Sequence, residues 1–128
     1  MNECLDENWQ LIACPGGMPG ATNLRDSPAL TTLLRRQYDE SKLIGAICAS
    51  PAVILAHHNL LGSKQATCYP AGKFTSAIPH YSDTASVIVD GNLVTSQGPG
   101  TSLSFSIKLV ELLFGEEKAQ QIKKEMIA

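Results

Sequence analysis

Of the side chains in this sequence that can do covalent chemistry, Cys48 has the neighbours that point to a use for it. It lies in LIGAICASPAVILAHH, Leu43 to His58, where a short apolar run meets Ser50-Pro51. Serine followed by a first-turn proline marks a helix start, so Cys48 falls where a strand gives way to a helix. The unpaired N–H groups of a first helical turn favour an anion beside them. Such a setting draws a thiol from about 8.5 towards roughly 3.5–7.5, and each unit is worth about 1.4 kcal/mol of preference for the thiolate. Gly45, Ala46, Ala49 and Ser50 are small enough for a tight nucleophile elbow. The competing reading is a buried structural cysteine, a common fate for a free thiol.

A second element belongs with the first. Pro15-Gly16-Gly17 follows its own apolar run, WQLIAC, and glycines allow backbone N–H groups to approach a substrate oxygen closely, as an oxyanion hole requires. Taken alone, the same tripeptide is a turn that ends a strand. The other reactive types have plainer explanations. His57 and His58 suit the C-terminus of the helix that follows the elbow, and with no Cys, Asp or Glu at ligand spacing no metal site is expected. His80 falls in a loop, Cys4 in an N-terminal tail with Glu3, Asp6 and Glu7, and Cys14 and Cys68 in strands, as structural thiols. Arg25, Asp26, Arg35 and Arg36 form a solvated face, with Arg25 able to touch a partner subunit, and Trp9 anchors the first strand.

The elements that must position these groups alternate. WQLIAC predicts a strand buried on both faces, as in a parallel sheet. Asp26 or Ser27 caps a helix that carries Leu30, Leu33, Leu34, Gln37 and Tyr38 at helical spacing and ends near 39–41. KLIGAI predicts a second buried strand, SPAVILAHH a helix and QATCY a third strand. SVIVDGNLVTS predicts a hairpin turning at Asp90-Gly91. A helix from Ser102 to about Phe114, closed by Gly115, and a charged one from Glu116 to about Ile127 complete the chain. The class is α/β with a mainly parallel sheet.

Composition bounds the possibilities. The 128 residues, 44% hydrophobic, suit one domain with its own core. A net charge of -2 without a Lys/Arg cluster argues against nucleic-acid or membrane-surface partners. No apolar run nears the roughly 18 residues of a membrane span, the first residues lack the pattern of a secretory leader, and four cysteines without CxxC spacing fit free thiols in the cytoplasm.

The blocks LIACPGGMPGATNLRDSPAL, LIGAICASPAVILA, ATCYP and VDGNLVTSQGPGTSLSF, in this order over about residues 8–127, closely resemble the ThiJ/PfpI superfamily, in the branch of the parkinsonism-associated protein deglycase. The resemblance implies a flavodoxin-like three-layer sandwich with a mainly parallel sheet. It makes residues 1–128 a single ThiJ/PfpI-type domain, the C-terminal two thirds of the family's, without its N-terminal strands and helix. It implies Cys48 as nucleophile, the Gly17 and Ala49 amides as oxyanion donors and Gly16 as the residue that shapes their loop. Tyr69, which stands where the branch often has histidine, is expected to donate a hydrogen bond or wall the pocket, and Pro99, flanked by Gly98 and Gly100, borders the cysteine pocket. Gln97 replaces an arginine of some relatives and carries no chemistry.

The activities implied are glutathione-independent conversion of methylglyoxal-type 2-oxoaldehydes to hydroxy acids and protein deglycation, with no cofactor. The alternative is a non-catalytic oxidative-stress sensor or chaperone-like module working through oxidation of Cys48. The family's partner glutamate, carried by the N-terminal helix, has no counterpart here, so a fragment or truncated isoform with reduced or no glyoxalase turnover is expected. A homodimer, or another pairing, is expected to cover the exposed sheet edge. A peptidase is disfavoured, since Tyr69 replaces the histidine it would need and none follows Cys48 directly.

Overall fold

The computed structural model describes residues 1–128. Four short strands, β1 (Leu11–Cys14), β2 (Leu43–Ile47), β3 (Val87–Asp90) and β4 (Leu93–Ser96), form one sheet in the order β1-β2-β4-β3. β1 pairs with β2, and β2 with β4, in parallel; β3 and β4 form the antiparallel hairpin anticipated at Asp90-Gly91. The register sets Cys14 beside Ala46 and Ile47 beside Ser96. The chain therefore leaves β1, β2 and β4 at the same carboxyl edge, where open α/β sheets place their sites.

Helices cover both faces. On one lie α1 (Gly20–Arg25), α2 (Pro28–Asp39) and an elbow helix at Pro51–Ala56, packed around Cys14, Leu34, Ile44, Ile54 and Leu55. The short α3 (Gly72–Thr75) sits against the elbow helix, and its Phe74 packs on the same core. On the other face α4 (Ser102–Phe114) lays Phe105 and Leu109 against Val94. A charged helix, α5 (Glu116–Glu125), packs on α4. The result is an α/β three-layer arrangement. Ser27 caps α2 as expected: its hydroxyl accepts the Leu30 N–H at 3.2 Å, with Pro28 in the first turn.

Several expectations are corrected. Gln65–Tyr69 is not a strand. Its contact with a neighbouring segment is one isolated bridge, Ala66 to Tyr81, and its donors go elsewhere: Thr67 N–H to the Thr95 hydroxyl at 3.0 Å and Tyr69 N–H to the Cys48 carbonyl at 2.7 Å. Cys68 is buried but lies outside any strand. β1 is not buried on both faces: it is an edge strand, paired on one side only with β2, and Cys14 is buried while Ala13 is exposed. The N-terminal residues are not a free tail either. Asn2–Asp6 form a 3₁₀ turn held to α2 by Arg36, whose guanidinium donates to the Leu5 carbonyl at 2.9 Å and to that of Glu7. Trp9 Nε1 donates to the Cys4 carbonyl at 3.0 Å, which ties the start of β1 to this turn. His58 does not cap its own helix; its Nε2 meets the Arg25 carbonyl at the end of α1, 2.8 Å away.

Candidate active site

Cys48 follows β2 directly and has φ +65°, a left-handed conformation in a residue other than glycine. Such backbone costs on the order of 1–3 kcal/mol and persists only where its surroundings enforce it. The enforcement is visible. The Cys48 N–H donates to the Ser96 carbonyl at 3.0 Å, and the Cys48 carbonyl accepts from Tyr69 N–H at 2.7 Å. Two residues on, the Ser50 hydroxyl donates to the Pro15 carbonyl. Ser50 was expected to cap the elbow helix; instead its side chain makes no cap and joins the elbow to the Pro15-Gly16-Gly17 loop. The elbow helix is wound in the wide π form, with Leu60 N–H reaching back five residues to the Leu55 carbonyl at 2.8 Å.

Because Cys48 is strained, Cys48→Gly is expected to unfold at a higher urea midpoint than Cys48→Ala, by about 1 kcal/mol, since glycine relieves the positive φ and alanine retains it. Equal midpoints would refute the strain.

The diglycine loop comes close to the thiol. A Cβ on Gly16 would stand 2.5 Å from Cys48 Cβ and 3.3 Å from its Sγ, so this approach excludes any other residue. Gly17 has φ +87° and nothing within 4 Å of where its Cβ would be. The N–H groups of Gly17 and Ala49 donate to no group of the protein, although Ala49 is only 1% exposed. A buried, unpaired N–H is unusual in a folded chain and is what an oxyanion site requires. The half-buried thiol opens into a cavity of about 250 Å³ walled by Pro15, Gly16, Gly17, Ile47, Pro99 and Ser102.

The outer wall is fixed by Thr101. Its hydroxyl accepts from Gln97 N–H at 3.2 Å and Gly98 N–H at 3.1 Å and lies 2.7 Å from the Ser96 hydroxyl. This hydroxyl network escaped the sequence reading, and a threonine after a Gly-Pro-Gly turn was the signal available for it. Gly98 is extended (φ 175°), so its role is contact with the Tyr69 ring, 3.6 Å from where a Cβ would be. Gly100 has open space in the corresponding position. Of the residues expected at the site, Gly16, Gly17, Cys48 and Pro99 wall one cavity, and Ala49 adjoins it through the chain. Tyr69 does not line it. Tyr69 is 45% exposed, packs beside Gly98 and edge-on to Phe74, and reaches the elbow through its backbone N–H.

No carboxylate or imidazole lines this cavity. Burial pushes the Cys14 thiol up to about 11. The Cys68 thiol is also pushed up to about 11, by burial first and by the charge of Cys48 second. No group of three or more His, Cys, Asp or Glu side chains is arranged to hold a metal ion, and no helix is long and apolar enough to cross a membrane.

A flavodoxin-like α/β sandwich with a cysteine at a strained strand-to-helix turn, facing a diglycine loop, defines the class of protein. Residues 1–112 match the family described as DJ-1/PfpI, and the chain belongs to that family. Protein DJ-1 homolog B of Arabidopsis thaliana is 44% identical over 97% of this chain and 28% of its own length. The Caenorhabditis elegans protein named glutathione-independent glyoxalase DJR-1.2 is 35% identical over 98% of this chain and 67% of its own. The solved structure of oxidized Toxoplasma gondii DJ-1 superposes with a TM-score of 0.93 at 41% identity, over 98% of this chain and 67% of that one. The chain thus spans less than a third of its Arabidopsis relatives and between about half and two thirds of the animal ones.

Proposed function

We propose that this chain carries the nucleophile of a glutathione-independent glyoxalase or deglycase-like protein that acts on methylglyoxal-type 2-oxoaldehydes. The observation that carries the reading is Cys48 at φ +65° beside the partnerless N–H groups of Gly17 and Ala49. The Cys48 sulfur adds to the aldehyde carbon, the carbonyl π pair moves to oxygen, and the two amides hold the resulting oxyanion until it takes a proton as a hemithioacetal. Moving the C1 proton to C2 then gives an S-lactoyl thioester, and water cleaves it to lactate and free thiol. Summed, methylglyoxal and water become lactic acid. The relative named a glutathione-independent glyoxalase supports this chemistry.

The proton transfer from C1 needs a base, and the cavity wall offers the Ser102 hydroxyl but no carboxylate. Capture of the aldehyde is therefore the step this chain performs well, with lactate formed slowly unless a carboxylate is supplied by a further segment or a partner. Pairing at the open edge of β1, with a second copy in a homodimer or with a further segment, is part of this proposal, as is a reducing, cytoplasmic setting for the four free thiols. A second reading, an oxidative-stress sensor in which Cys48 is oxidised, draws on the same missing carboxylate, because it needs only the thiol and the amides around it.

Methylglyoxal added to purified protein is expected to raise the mass by one methylglyoxal at Cys48 and to yield lactate, with both signals at background in Cys48→Ala. Lactate at the same rate from Cys48→Ala would refute the enzyme reading. No adduct and no lactate, together with clean sulfinate at Cys48 after peroxide, would leave the sensor.

A further inference from the structure

Cys68 is fully buried, at 0% exposure, and takes no part in the chemistry above. Its thiol donates to the Tyr69 carbonyl at 3.3 Å, and Tyr69 N–H in turn donates to the Cys48 carbonyl at 2.7 Å. Residues 48 and 68 are therefore main-chain neighbours across one backbone hydrogen bond. Segments joined in this way run about 5 Å apart, within the roughly 4.4–6.8 Å between α-carbons that a disulfide spans. All four cysteines are free. The other two are placed differently: Cys4 and Cys14 both wall an apolar groove beside β1, with Trp9 and Leu33.

We propose that Cys68 is a resolving cysteine for Cys48, so that oxidation by a peroxide ends in a reversible Cys48–Cys68 disulfide. The proposal rests on Cys48 being the reactive thiol. The Cys48 thiolate attacks one peroxide oxygen, the O–O bond breaks and the second oxygen leaves as alcohol or water, which makes Cys48 a sulfenic acid. The Cys68 sulfur then attacks the Cys48 sulfur, the S–O bond breaks, and the hydroxyl leaves as water with the thiol proton of Cys68. Two thiols supply the two electrons that reduce the peroxide, and an external dithiol returns them. Closing the bond requires Cys68 to turn away from the Tyr69 carbonyl.

The environment of Cys68 gives the sequence of events an order. Before oxidation, burial keeps the Cys68 thiol protonated and away from peroxide. Burial thus shields Cys68 from peroxide until its neighbour has reacted.

The full chain, treated with one equivalent of hydrogen peroxide, is expected to become lighter by two hydrogens. Trypsin without reductant should then release Leu43–Lys64 linked to Gln65–Lys73, separable by dithiothreitol. In Cys68→Ser, and in Cys68→Ala as a second variant should the first fold poorly, the link should be absent and Cys48 sulfinate should accumulate several-fold faster. Sulfinate forming at equal rates with and without Cys68, or a link to Cys4 or Cys14 instead, would overturn the proposal. A 48–68 link in protein that captures no methylglyoxal would uphold this pairing while refuting the aldehyde chemistry. No mass change at Cys48 under peroxide would overturn the pairing and leave the aldehyde chemistry to the methylglyoxal test.

Discussion

Gly16→Ala is expected to lower stability by about 1–3 kcal/mol and to bring methylglyoxal capture at Cys48 near background. The new methyl carbon would sit 2.5 Å from Cys48 Cβ and 3.0 Å from the Ile47 carbonyl oxygen. Neither atom can swing aside, since one is the first carbon of a side chain on strained backbone and the other is main chain at the end of β2. Relief must come from moving the diglycine loop, which separates the Gly17 amide from the sulfur and disturbs the bond from Ser50 to the Pro15 carbonyl. Gly20→Ala is the control, because nothing lies within 4 Å of its Cβ position. Urea midpoints and adduct yield by intact mass should both fall in the first variant and hold in the second. Full adduct yield in Gly16→Ala would show that the loop's approach is irrelevant to the thiol.

Alkaline solution should weaken the fold through Cys14. Its thiol stays protonated in the native protein to about 11 because burial penalises the charged form, against 9.0 for an unburied cysteine. Between these values the unfolded chain has released a proton that the native state keeps, so stability falls as pH rises through this window. Below pH 9 both states are protonated and the term is flat. A two-unit difference corresponds to on the order of 2–3 kcal/mol. Cys68 adds a loss of the same sign. Urea unfolding at pH 8 and 10.5 should show the decline in the native sequence and a smaller one in Cys14→Ala. That variant begins less stable, but the comparison uses the slope with pH and so discounts its starting level. An equal decline in both would assign the alkaline loss to other groups, such as lysines and tyrosines.

The sequence made the main supports of the site legible because each carries a local signal. The Ser27-Pro28 start of α2, the Asp90-Gly91 hairpin and the apolar spacing of α4 are set by neighbours a few residues away, and small residues around Cys48 anticipated a turn too tight for larger ones. What remained hidden depends on partners distant in the chain. QATCY has the composition of a strand, but its hydrogen bonds go to the Thr95 side chain and to the elbow itself, which no pattern within five residues records. Apolar runs alike in WQLIAC and KLIGAI end as an edge strand and a central one, because burial depends on what lies alongside. The short helices α1 and α3 are too brief to show periodicity. Ser50 has the right identity and place for a cap yet serves as a cross-tie.

The unusual backbone at Cys48 is secured from residues 69 and 96, and its helix from residue 15. A ribosome-bound chain ending before Ser96 lacks the acceptor that fixes the Cys48 amide, so the elbow cannot mature during early synthesis. Acquisition of chemistry is in this sense a late event, coincident with closure of the central strand pair. Any damage that loosens β4 should silence the sulfur without touching it.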